Sequence, residues 1–279
     1  MEGVILLKIA FWSNVRGQCG TTLHLTSIAI IQAMFDKKKV VLMENHDHLL
    51  NIESCLVKKG RSDMVMESPG IYNRYGLENL LASIDSAAPK VREKLIKKCS
   101  MRFAYDRLYY LPHSYLKNRD ILDYQFDKKL NGLLKNLEAY FYAVYIDTFA
   151  AESMSTKNIL DSADVVVVNL NQNSNVINHF FSNFSSLRSK AVFLLGNYYP
   201  CRYNSIYEIR RRYQIPENRI YAIPFCMEAA EAESEGCLAS FIGRNYLEPS
   251  ISNRDFISSI YNAYKGIMDY SAASKGPGV

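Results

Sequence analysis

Ser13-Asn14-Val15-Arg16-Gly17-Gln18-Cys19-Gly20-Thr21-Thr22 lies between an apolar run and a helical stretch. Before it stand residues 4–11, VILLKIAF, an apolar run too short for a long helix and halted by Ser13-Asn14. Such a run reads as a buried strand. After it, residues 22–35 place Leu25, Ile28, Ala29 and Ala33 near helical spacing, with good helix formers between them. The ten quoted residues therefore link a strand to a helix. In an α/β sheet, ligands bind outside the carboxyl ends of the strands. A loop that opens a helix offers unbonded N–H groups and the positive end of the helix dipole, which suits an anion. Gly17 and Gly20 let the backbone approach a ligand closely.

Outward from this loop the same alternation recurs. Residues 39–43 (KVVLM), 108–111, 142–146 (YAVYI), 165–168 (VVVV), 191–195 (AVFLL) and 220–223 read as further strands. VVVV and AVFLL show no alternation of period two, as expected for strands of a parallel sheet covered on both faces. Helices are expected over 123–140, where Leu130, Leu133, Leu134 and Leu137 share a face, and over 174–184, 203–213 and 255–270. The order predicts an α/β fold: a doubly wound, mostly parallel sheet flanked by helices. Residues 45–76 carry only Gly60, Ser68-Pro69-Gly70 and Gly76 as signals, and predict irregular or short helical structure. One domain over residues 1–270 is expected, with 271–279 a disordered tail.

Composition narrows the class. The chain has 279 residues, 48% hydrophobic and 22% charged, which fits a globular protein with a sizeable core. No apolar run reaches the roughly 20 residues of a membrane-spanning helix. Residues 1–8 lack a basic leader and a cleavage site, so no secretory signal is expected. The six cysteines are scattered with no CxxC pair, which reads as free thiols in a cytoplasmic setting. A net charge of +5 neither demands nor excludes an acidic partner.

The loop shares its last glycine and a following hydroxyl with the phosphate-binding pattern G-x-x-x-x-G-K-[ST], but Thr21 stands at the lysine position. Two glycines also make an ordinary turn. The chain as a whole is more specific. Arg16-Gly17-Gln18-Cys19-Gly20-Thr21-Thr22 resembles the deviant Walker A loop, K-G-G-x-G-K-T, of the MinD/ParA family of ATPases. Residues 40–52 are similar to the family's V-L-x-x-D-x-D-x-x-x-N-L segment, with Asn45 at the first Asp and Asp47 at the second. Residues 142–148 look like its Walker B strand and place Asp147 there; residues 162–168 resemble the next strand. Residues 193–198 resemble the segment whose Asn, here Asn197, reads adenine, and residues 220–225 the I-P-y segment with Pro224. Together these cover about residues 4–245 and imply the SIMIBI-type P-loop NTPase fold. Within the family, the eroded loop looks most like the TadZ/CpaE-like branch of Flp/Tad pilus assembly.

The resemblance implies ATP or ADP with Mg²⁺. Arg16, Gly17, Gln18, Cys19, Gly20, Thr21 and Thr22 would cradle phosphates, with Asn197 and Pro224 at the base. Thr22 and Asp147 would serve the metal, and Asp47 would orient the attacking water. Arg16 would reach across a homodimer to the partner's nucleotide. Pilus or secretion proteins are the implied partners, with cytoplasmic localisation, indirect membrane contact and recruitment to the inner membrane face or a cell pole. Nucleic acid is not the expected partner. Thr21 carries no charge, so at most weak ATPase activity is expected beside retained binding. Alternatives are a slow but active ParA/MinD-type ATPase that positions DNA or a division factor, and a nucleotide-free interaction module. His46 and His48 show no metal spacing and read as solvated. Arg210-Arg211-Arg212 reads as a solvated helix end. The apolar face of Phe256, Ile257, Ile260, Tyr264, Ile267 and Met268 lacks the basic flank of a membrane-surface helix and predicts packing on the domain.

Overall fold

Along β1 (Leu7–Trp12), side chains alternate between two cores. Leu7, Ile9 and Phe11 enter one; Ala10 and Trp12 enter the other. This two-sided burial follows from apolar residues at both parities, and it recurs in β6 (Val165–Leu170), where Val165 and Val167 oppose Val166 and Val168. The computed structural model describes residues 6–46, 51–58, 76–112, 119–148, 153–200 and 203–274.

The remaining strands are β2 (Val40–Glu44), β3 (Met101–Phe103), β4 (Leu108–Leu111), β5 (Ala143–Asp147), β7 (Ala191–Tyr198) and β8 (Ile220–Pro224). They form one eight-stranded sheet in the order β3-β4-β2-β5-β1-β6-β7-β8. All neighbours pair parallel except β3 with β4. On one face lie α1 (Thr21–Met34), α2 (Ile52–Leu56), α9 (Met227–Ser234), α10 (Leu238–Leu247) and α11 (Arg254–Ser274). On the other lie α3 (Leu77–Ser83), α4 (Pro89–Cys99), α5 (Arg119–Leu137), α6 (Met154–Ser162), α7 (Ser174–Asn183) and α8 (Ile206–Tyr213). This is the expected doubly wound α/β architecture. β1 is central, flanked by β5 and β6; the chain leaves β1 toward β2 in one half of the sheet and leaves its neighbour β5 toward β6 in the other. The crevice beyond its carboxyl end is a topological switch point.

Several expectations change at the level of elements. β3 was not expected, because the turn joining it to β4 contains no glycine or proline. Ala104, Tyr105 and Asp106 make that turn with φ of 49°, 55° and 60°. β7 runs to Tyr198, past the expected end at 195. The helix expected over 203–213 starts at Ile206, capped by Ser205 Oγ accepting from the Glu208 N–H at 3.2 Å. The last helix continues to Ser274, so the first four residues of the expected tail are helical, with Ser271 Oγ bonded to the Met268 carbonyl. Residues 275–279 lie outside the described residues. The apolar face of α11 packs on the sheet as expected, with Phe256, Ile260, Tyr264 and Ile267 buried. No helix among the described residues is long and apolar enough to cross a membrane.

Candidate functional site

The loop after β1 turns into α1 through Gly20, whose φ of +67° places the N-cap in the left-handed region. Glycine takes that conformation without a Cβ penalty. No side chain caps the helix and no acidic residue lies in its first turn, so its N–H groups stay available to an anion. Gly17 is also left-handed, at φ +68°. Gly196, on β7, sets the floor: a Cβ there would stand 2.3 Å from the Cys19 carbonyl oxygen and 2.9 Å from His24 Cε1.

His24 wedges this floor in place. It is 2% exposed, and its Nδ1 lies 2.9 Å from Asn169 Oδ1 on β6. Asn169 uses its amide N–H on the Val167 carbonyl at 3.2 Å, so the His24 Nδ1 carries the hydrogen and donates. Burial pushes the His24 imidazole down to about 4, against the pull of that bond. His24 is therefore neutral at neutral pH and cannot stand in for the missing lysine.

Above the floor opens a cavity of about 550 Å³, a size that takes a nucleotide. It gathers Arg16, Gly17, Cys19, Gly20, Thr21 and Thr22 from the loop. Asp147 enters from the end of β5, and Asn197 and Pro224 from the ends of β7 and β8. Thr22 Oγ1, in the first turn of α1, donates to Asp147 Oδ2 at 2.6 Å. A hydroxyl and a carboxylate beside an uncapped helix N-terminus fit Mg²⁺, which takes few protein oxygens and keeps waters and phosphate oxygens as its other ligands. No group of three or more His, Cys, Asp or Glu side chains suited to a metal occurs among the described residues. Gln18 does not line the cavity; its Oε1 accepts from Asn171 Nδ2 at 3.4 Å. Asp47 lies outside the described residues. Asn45 is buried and donates to Ser155 Oγ at 2.9 Å, tying β2 to α6.

Other residues reach the cavity that sequence reading did not place there. His46, expected to be solvated, is 7% exposed, with Nε2 3.3 Å from Asp147 Oδ2. β2 and β5 pair in register as far as Glu44 and Asp147, which carries the next turn of chain over the carboxylate. His24, Phe225 and Glu233 also line the cavity. His24, as a polar residue on the buried side of α1, was a usable signal; Glu233, on a distant helix, had none. Arg16 is the one arginine or lysine among the described lining residues, against the carboxylates of Asp147 and Glu233. Burial, and then the charge of Asp147, push the Glu233 carboxyl above its ordinary range, while Cys55 pulls it down.

The solved structures this chain resembles share its overall fold. A ParA family ATPase from Chlorobium tepidum TLS superimposes with a TM-score of 0.67 at 11% identity, over 93% of this chain and 98% of that one. This is the MinD/ParA-type P-loop NTPase fold. The septum site-determining protein MinD from Pyrococcus horikoshii OT3, solved with Mg-ADP, gives 0.66 at 14% identity over 98% and 100% of the two chains. A plasmid partition protein from Borrelia burgdorferi B31, bound to AMPPNP, gives 0.60 at 13% identity over 95% and 99%. No family model and no curated protein matches the chain in sequence. Identities this low establish the MinD/ParA-type fold and leave the activity to the site itself.

Proposed function

We propose that the chain binds an adenine nucleotide with Mg²⁺ in this cavity and serves as a nucleotide-dependent scaffold with little hydrolysis of its own. The 2.6 Å bond from Thr22 to Asp147 beneath an uncapped helix N-terminus is the observation that carries this reading. The N–H groups of residues 17–22 would hold the phosphates, and Asn197 and Pro224 the base. Thr22 and Asp147 would hold Mg²⁺, which when bound neutralises charge on the phosphate oxygens. Asp47 keeps its proposed role with the attacking water. Thr21 is uncharged and His24 neutral, so neither supplies the charge of the loop lysine. Hydrogen bonds and the helix dipole remain for binding, while charge stabilisation of transfer is weakened.

Arg16 is exposed at the loop tip; in this reading it would reach the nucleotide of a second copy and close a homodimer. Residues 1–270 would act as one such unit. The eroded loop is the trait shared with TadZ/CpaE-like proteins, so a pilus or secretion apparatus, reached at the inner membrane face or a pole, is one machine it would serve. The names of the solved neighbours favour a second reading, in which the same unit places a plasmid or a septum.

The test is calorimetric titration with ADP and a non-hydrolysable ATP analogue in Mg²⁺, beside steady-state turnover. Binding with very slow turnover is expected, and Thr21→Lys should raise turnover by roughly 10- to 1,000-fold. Absence of binding would leave a nucleotide-free interaction module. Brisk turnover by the unaltered protein, lost in Asp47→Ala, would make it an active ATPase.

A further inference from the structure

Resting on the nucleotide reading of the cavity, we propose that Glu233 makes the site selective for magnesium-loaded nucleotide and against the metal-free form. Glu233 stands near the C-terminal end of α9 and faces the same cavity as Thr22 and Asp147. It is half-buried, and Cys55 Sγ of α2 lies 3.9 Å from its Oε1. The turn that follows it is locked against α2: Gly236, at φ +67°, passes so close that a Cβ would stand 1.9 Å from the Val57 carbonyl oxygen. Cys55 and the docked turn thus set the end of α9, and Glu233 with it, against the cavity.

The charge balance gives this carboxylate its consequence. Asp147 and Glu233 oppose Arg16, the one arginine or lysine among the described lining residues, and Thr21 adds no positive charge where the P-loop pattern has lysine. A metal-free polyphosphate entering this cavity meets two carboxylates, and like charges in a partly desolvated space repel strongly. A divalent cation carried with the phosphates turns both contacts attractive. Glu233 acts through charge across the cavity, so metal and nucleotide become coupled ligands, each raising the affinity of the other by the same factor.

The coupling is read on the full chain as the ratio of ADP affinity in Mg²⁺ to ADP affinity in excess EDTA. Glu233→Gln should lower that ratio by about tenfold, mainly by tightening metal-free ADP. Glu233→Asp keeps the charge and should keep most of the ratio, whereas a merely structural role would move both variants alike. An unchanged ratio in Glu233→Gln overturns the proposal. If that variant does not fold, the unaltered protein gives a second reading through carbodiimide labelling of Glu233, followed by mass spectrometry. Mg-ADP should protect the carboxyl and ADP in EDTA should not; equal labelling overturns the proposal. Failure of the unaltered protein to bind ADP even in Mg²⁺ is a separate result, which removes the nucleotide reading and this proposal with it.

Discussion

Gly196 shows how a single residue positions the loop. Its missing Cβ is the space that the Cys19 carbonyl and the His24 ring occupy, at 2.3 Å and 2.9 Å from where that atom would be. Gly196→Ala should therefore lift the Cys19–Gly20 stretch of the loop off the sheet. We expect a stability loss of about 1–3 kcal/mol in urea unfolding and a larger proportional loss of ADP affinity. Wild-type affinity in this variant would show that the loop is not held from below. Cys19 tests the same packing by its reactivity. It is 1% exposed, and burial pushes its thiol up to about 11, opposed by Ser13. Since the thiolate is the reactive form, iodoacetamide at pH 8 should label half-exposed Cys237 well before Cys19, with Cys19 labelling rising steeply as pH approaches 11. Early labelling of Cys19, read by peptide mass spectrometry, would mean that the loop opens readily.

At the scale of elements, α2 is the piece that propensity explains least. Five residues do not hold a helix by themselves. Asn51 supplies a capping box with Ser54, and Glu44, 1% exposed at the end of β2, accepts the Ile52 N–H at 3.0 Å. The other Glu44 oxygen accepts from the Tyr110 hydroxyl of β4. One buried carboxylate thus joins β2, β4 and the start of α2, and both of its oxygens are bonded. Tyr110→Phe keeps the ring and removes one donor to a buried charge, which should cost about 2 kcal/mol in chemical unfolding. An unchanged unfolding midpoint would contradict the weight placed on this bond. Because α2 in turn braces α9 through Cys55 and Val57, the same variant should also loosen the Glu233 side of the cavity.

At the scale of the whole molecule, the eight strands bring the end of β1 between β5 and β6 and leave the loop open at one rim of the sheet. A second copy closing over that rim would exclude water from the Arg16 guanidinium and strengthen its hold on phosphate. We expect light scattering over a concentration series to show a dimer that tightens with Mg-ATP, and Arg16→Ala to weaken it by roughly tenfold. A monomer at all concentrations, indifferent to nucleotide and to Arg16→Ala, would end the dimer proposal.

Much of this was legible in residue order alone. Strand-loop-helix alternation, the unbroken apolar runs VVVV and AVFLL, and Gly17 and Gly20 at the end of the first strand specify a parallel sheet with a glycine loop at its first strand end, because periodicity and backbone freedom are local properties. The apolar face of α11 was readable for the same reason. The β3–β4 turn was not, since three non-glycine residues enter the left-handed region without any local mark. Nor could spacing reveal that His46 comes down on Asp147, or that Glu233, 86 residues beyond Asp147, faces the same cavity. Those juxtapositions depend on strand register and on the docking of α9 against α2. Residue order alone was enough for the strands of the parallel part of the sheet, five of the helices and a glycine loop suited to an anion. Only the tertiary structure decided the charge surrounding that anion, because Coulomb interactions act through space between residues that the chain keeps far apart.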